Sequence, residues 1–189
     1  KIVVGEMPKG TEDILNKAKE LSVPIDYSDK ITALSDAYTN LENSKKQYKQ
    51  VTNPTEEFVI QRLLTVDDIV DARAVTEDQD PNGNLHKEGG YTATIYFESK
   101  KVNQSKVYTS GEYDDVLIDK GTDAGGAIEV YAKEEDAEKR QEYLATYDGT
   151  IFANGTHTVI GTVLVRTSNE LTASQQKELE QKVIKALTK

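Results

Sequence analysis

Apolar positions along this chain recur first at helical spacing, then alternate, then return to helical spacing. Ile14, Ala18 and Leu21 share one face of a short helix that Thr11 can cap and Val23-Pro24 stops. A longer helix is predicted from about Ser28 to Val51, with Ile31, Leu34, Tyr38, Leu41 and Tyr48 at heptad a and d positions and Lys45 interrupting the series. So narrow a stripe suits a single partner surface. It predicts either an antiparallel helix pair docked on the domain or a spacer helix that meets a partner. Next, Asn53-Pro54-Thr55-Glu56 reads as a helix start, with Asn53 as cap, Pro54 in the first helical position and Glu56 closing a capping box. Its helix carries Phe58, Val59, Ile60, Leu63 and Leu64 and is predicted to be the most buried.

The period then changes to two. Ile69 to Glu77 and Tyr91 to Ser99 read as strands, the second through Tyr91-Thr92-Ala93-Thr94-Ile95-Tyr96-Phe97. Residues 100 to 126 are polar and turn-rich. A third strand runs from Ala127 to Ala132, and a helix from Glu134 to Tyr147 ends before Gly149. A fourth strand, Thr158 to Thr167, precedes a last helix opened by a capping box at Leu171-Thr172-Ala173-Ser174-Gln175, with Leu179, Val183, Ile184 and Leu187 inward. Strand-helix-strand near the end predicts a parallel crossover, and the long hairpin predicts antiparallel pairing elsewhere. The fold class is α+β: a mixed, mainly antiparallel four-stranded sheet with helices mainly on one face, loosely ferredoxin-like. It is preceded by an N-terminal helical region, giving a division at 1–52 and 53–189.

Composition narrows the function classes. Among 189 residues the net charge is -10, and the only arginines are Arg62, Arg73, Arg140 and Arg166. That excludes nucleic acid as an expected partner, because phosphate backbones demand clustered Lys and Arg. Without cysteine there is no disulfide, thiolate or cysteine-type zinc chemistry. No apolar run reaches a membrane span. The start Lys1-Ile2-Val3-Val4, without methionine, reads as processed or trimmed. Ten tyrosines against no tryptophan supply amphipathic surface for peptide or sugar, though most are expected to pack at the core edge.

One loop names a chemistry. Asp78-Gln79-Asp80-Pro81-Asn82-Gly83 places oxygen ligands on alternate residues before a glycine turn, the arrangement a hard cation such as calcium requires. Asp78, Asp80 and Asn82 take the first three ligand positions, and the Asn84 carbonyl takes the next. The twelfth position is Gly89 rather than an acid, Glu88 falls one residue early, and the flanks are strands. The competing reading is a tight turn whose Asp and Asn side chains bond their own backbone. A second acidic group, Glu112-Tyr113-Asp114-Asp115 with Asp119 and Asp123, lies beside three glycines. His86 and His157 show no metal-ligand spacing, and Asn103-Gln104-Ser105 and Asn154-Gly155-Thr156 match N-glycosylation acceptors at chance level.

Four stretches carry a resemblance: Ala74-Val75-Thr76-Glu77-Asp78-Gln79-Asp80-Pro81-Asn82-Gly83, Gly90-Tyr91-Thr92-Ala93, Asp119 to Gly126 and Gly155 to Thr162. With Arg166 to Leu179, they resemble a domain of unknown function in exported lipoproteins and surface proteins of Gram-positive bacteria. The likeness covers roughly Asn53 to the C-terminus and brings no catalytic residues. It implies an extracytoplasmic, lipid-anchored protein whose leader and lipid-bearing cysteine lie outside this sequence. The expected role is a non-enzymatic binding or interaction domain whose partner is a protein or cell-wall component, touching membrane only through its anchor. The alternatives are a cell-wall hydrolase using Asp114, Asp115, Asp119 and Asp123, or a structural spacer.

Overall fold

A computed structural model describes residues 9–150 and 155–189; the chain start at Lys1–Val4 and Asn154 of the Asn154-Gly155-Thr156 triplet lie outside the described residues. The chain separates into two compact units, residues 1–43 and 44–189. The first contains α1 (Thr11–Ser22) and most of α2 (Ser28–Gln50), and neither helix buries a residue. The heptad positions Ile31, Leu34, Tyr38, Leu41 and Tyr48 are between 57 and 72% exposed, so the apolar seam faces solvent along its length.

The second unit is built on one sheet. Its strands are β1 (Ile69–Ala74), β2 (Tyr91–Ser99), β3 (Gly125–Tyr131), β4 (His157–Ile160) and β5 (Val163–Thr167), in spatial order β1-β2-β3-β5-β4. The sheet is thus five-stranded, and every neighbouring pair is antiparallel, where four strands with a parallel crossover are expected from the sequence. The extra strand comes from Gly161. It breaks the β-rich run Thr158–Thr167 into a hairpin, with Ile160 paired to Val163. Gly161 has φ +57° and lies so close to the Val51 carbonyl that a Cβ would approach it to 2.5 Å. A side chain is therefore excluded there. The connection from β3 through α5 to β4 does restore the starting direction, but β5 lies between the two parallel strands. The element order differs from that of a β-α-β-β-α-β fold.

Helices cover both faces rather than mainly one. On the first face, α3 (Glu56–Leu63) and α6 (Ala173–Leu187) pack onto Ala72, Ala93, Ile95, Phe97, Ile128, Val130, Val163 and Val165. Val59 and Leu63 of α3 and Leu179, Val183 and Leu187 of α6 are buried. Truncating one of these leucines to alanine costs about 2–5 kcal/mol. Gly126 sits directly beneath Phe97, where a Cβ would meet the ring at 2.3 Å. α6 has the capping box expected of it, with Gln175 N–H donating to Thr172 Oγ1 and Thr172 N–H to Gln175 Oε1.

The start of α3 is placed differently from the sequence reading. Thr55 is the cap and accepts from the Phe58 N–H. Asn53 has φ +47° and instead ties the entry of the helix to the sheet, donating its N–H to Thr162 Oγ1 and accepting from Thr92 Oγ1. The second face is covered by α4 (Val116–Lys120), a 3-10 turn (Gly121–Ala124) and α5 (Glu134–Ala145), the first two lying where the sequence reads as turns. Asp115 nucleates α4 by accepting from the Leu117 and Ile118 N–H groups. Among the described residues, no helix is long and apolar enough to cross a membrane.

Candidate ligand-binding cleft

Strand alternation sends one set of side chains to the first face and leaves charged groups on the second. In β3, Ile128 and Val130 enter the first core while Glu129 points the other way, and in β5 Arg166 does the same between Val165 and Thr167. Glu129 is fully buried. Its Oε1 accepts from Arg166 Nη1 at 2.8 Å, and its Oε2 accepts from Tyr131 Oη at 2.7 Å and from Arg140 Nε, on α5, at 3.2 Å. Burial alone would push the Glu129 carboxyl up, but the charges of Arg166 and Arg140 and the two short hydrogen bonds outweigh it and hold it below the ordinary glutamate range. Burial also raises the Tyr131 phenol, reinforced by the Glu129 charge, so it stays a donor.

Above this cluster lies a cleft of about 740 Å³. Its floor is formed by Arg166, Arg140 and Tyr96; burial pushes the Tyr96 phenol up to about 12. One wall is Tyr143 and Tyr147, one helical turn apart, with rings edge-on at 5.4 Å and hydroxyls 2.9 Å apart. The Arg140 guanidinium lies over the Tyr143 ring, 5.4 Å from its centre. Tyr113, Lys120 and the 3-10 turn form the opposite wall. Gln104 fixes that wall by donating to the carbonyls of Ser99 and Ala124 while accepting from Lys120 Nζ. Gln79, Pro81 and Asn82 form a lip.

That lip is the glycine-containing acidic loop, and its geometry differs from a cation cage. Asp80 is its hub. Oδ2 accepts from the Asn84 and Leu85 N–H groups at 2.6 and 2.9 Å, and Oδ1 accepts from the Asn82 N–H at 3.0 Å and from the Tyr91 hydroxyl. Desolvation would raise Asp80, yet these donors together hold it below the ordinary aspartate range. Both of its oxygens face N–H and O–H donors, which is how a carboxylate closes a turn by itself.

The other proposed ligands are occupied or dispersed. Asp78 accepts from Thr76 Oγ1, the Asn84 carbonyl accepts from the Lys87 N–H, Asn82 Nδ2 donates to the Tyr91 hydroxyl, and Glu88 is exposed away from Asp80's bonds. Among the described residues, no group of three His, Cys, Asp or Glu is placed to hold a metal ion. The loop is coupled to the buried cluster through aromatic contacts. The Tyr91 ring stands edge-on to Tyr131 at 6.0 Å, and Tyr131 donates to Glu129.

The second acidic group divides. Asp115 is a helix cap that also pairs with Arg73 at 3.3 Å, and Asp114 is exposed. Asp119 and Asp123 line the cleft. Hydrogen bonds from Ser110 Oγ and the Gly111 N–H hold the Asp119 carboxyl below its ordinary value. Desolvation, helped by the Glu170 carboxylate and opposed by Arg166, pushes Asp123 above it. The histidines belong to separate pairs, His86 with Glu77 at 2.8 Å and His157 with Asp148 at 3.1 Å.

Glu129, Arg140 and Arg166 are absent from the site residues that sequence reasoning selects. Glu129 and Arg166 are signalled by a single charge inside Ala-Ile-Glu-Val-Tyr and inside Val-Leu-Val-Arg-Thr, since a charge in such a strand must find a buried partner, whereas Arg140 sits unmarked in a charged helix. Arg166 finds one for only part of its guanidinium. The residue is 8% exposed, and its Nε has no acceptor among the described residues. An unmet buried N–H costs about 1–3 kcal/mol. No protein-family model, curated protein or solved structure matches this chain.

Proposed function

We propose that this chain is a non-enzymatic binding domain of an extracytoplasmic surface lipoprotein, with the cleft over the second face of the sheet as its ligand site. The polar N-terminal helices, whose heptad seam is exposed, would serve as its spacer. The observation that carries this reading is the build of the cleft. Tyrosine rings on both walls offer flat apolar surface, while Arg166, Arg140, Lys120 and Asn82 offer donors along floor and rim. Concave sites of this size, with a few fixed polar groups, suit small ligands or short segments of a polymer.

The expected ligand is a cell-wall component. Cosedimentation with purified cell-wall material tests it: the wild type pellets, and Tyr113→Ala with Tyr147→Ala loses most of the bound fraction while keeping its melting temperature. Equal pelleting of both proteins would remove the cleft from the account.

A second reading rests on Asp119 and Asp123, which line one cleft with carboxyls shifted in opposite directions, as a base and an acid require. Release of reducing sugar from cell-wall polymers by the wild type and its loss in Asp123→Asn would support a hydrolase. Absence of release by the wild type would end that reading.

A further inference from the structure

We propose that the cleft takes an organic carboxylate, seated on the Nε–Nη2 edge of Arg166 beside Arg140; this deepens, and rests on, the reading of the cleft as a binding site. Two guanidiniums share the single carboxylate of Glu129, so the cluster beneath the cleft holds one surplus positive charge. Arg166 is committed to Glu129 only through Nη1. Its Nε is buried without an acceptor, and Nε with Nη2 forms the guanidinium edge that matches a planar carboxylate with two parallel hydrogen bonds. Asp123 lines the same cleft and feels the Arg166 charge, but among the described residues no ion pair joins the two, and Arg166 pairs with Glu129 instead.

The rim sets the charge of the ligand. Among the described residues, Glu112, Asp119 and Asp123 line the cleft and outnumber its free cations, Lys120 and the surplus guanidinium, so a dianion such as phosphate meets more repulsion there than a monoanion. A single carboxylate is met by the two parallel donors of the Arg166 edge. The tyrosine walls then require that the anion carry a body able to lie on aromatic rings. A carboxylate borne by a peptide terminus or by an acidic sugar has both properties.

Calorimetric titration of the full chain at neutral pH tests this with two matched pairs: N-acetylalanylalanine against its C-terminal amide, and glucuronate against glucose. One acid is expected to bind saturably, with its neutral partner at least tenfold weaker, and the responding pair identifies the source of the carboxylate. Arg166→Lys keeps a counter-charge for Glu129 but removes the fork, and should weaken the acid at least tenfold. Asp123→Asn removes a repelling charge from the cleft wall and should tighten it severalfold, a gain that misfolding cannot produce. Equal binding of an acid and its neutral partner, tighter binding of inorganic phosphate than of either acid, or no binding by any of the four probes would overturn the inference. If cosedimentation with cell wall persists in that event, the cleft remains a binding site and only its carboxylate specificity is lost.

Discussion

Replacing Glu129 with glutamine removes the negative charge that Arg140 and Arg166 share while keeping the shape of the side chain. The two guanidiniums then lie on the same side of the sheet with no carboxylate between them, Arg166 being almost wholly buried. Breaking a buried ion pair by removing one partner costs about 3–5 kcal/mol, because the remaining charge is left uncompensated. With a urea m-value of about 1–3 kcal/mol/M, the unfolding midpoint should fall by roughly 1–5 M.

The pH dependence has a definite sign. Glu129 is held below its ordinary value of 4.5, so its stabilising contribution is complete above about that pH and is lost as pH falls through the lower folded value. Urea unfolding from neutral pH downward should therefore show an acid limb in the wild type that flattens in Glu129→Gln. The double variant Glu129→Gln with Arg166→Met should recover part of the loss, since the unpaired charge goes as well. A midpoint shift worth less than about 1 kcal/mol, with the acid limb unchanged, would refute the view that this cluster is a closely coupled charge triad.

Other parts of the structure yield sharper local tests. Asp68 is buried and receives Lys182 from α6, with Lys100 and Lys101 nearby, so Asp68→Asn should cost about 1.5–3 kcal/mol by thermal or urea unfolding. The Lys182 hydrogen bond holds Asp68 below 3.8, so this contribution too is lost only as pH falls below that value. Thr172→Ala removes the α6 cap and should lower the melting temperature by about 2–4 °C, for a loss near 1 kcal/mol. Gly161→Ala combines a positive φ with a Cβ pressed on the Val51 carbonyl and should cost at least about 1–2 kcal/mol, with no change on the opposite edge at β1. Millimolar calcium should leave the melting temperature within about 1 °C, because Asp80 is already satisfied by the loop's own donors; a saturable rise would restore a cation site at Asp78, Asp80 and Asn82.

Where local chemistry decides the outcome, the sequence was legible. The period-2 run Tyr91–Ser99, the Thr172–Gln175 capping box and the apolar face of α6 all appear where the pattern places them. Gly161 was harder, because a β-rich run with one glycine reads equally as a strand with a bulge or as a hairpin. The close approach of Val51 decides between them, and that contact spans more than a hundred residues of chain. The same holds for the second face of the sheet. Helix α4 is too short to show a periodicity and rests on the single cap at Asp115. For the site, Asp80, Asn82, Asp119 and Asp123 were visible as polar loop residues, but their tasks depend on which donors surround them. Glu129, Arg140 and Arg166 come from β3, α5 and β5, so the triad exists only once the strand order does.

Chemical-shift mapping of the isotopically labelled chain during titration with soluble cell-wall fragments tests the binding cleft most directly. Perturbations should gather on Asn82, Tyr113, Lys120 to Asp123, Tyr143, Tyr147 and the Arg166 side chain, and should saturate together. Shifts confined to other surfaces, or none at fragment concentrations that saturate cosedimentation, would contradict it.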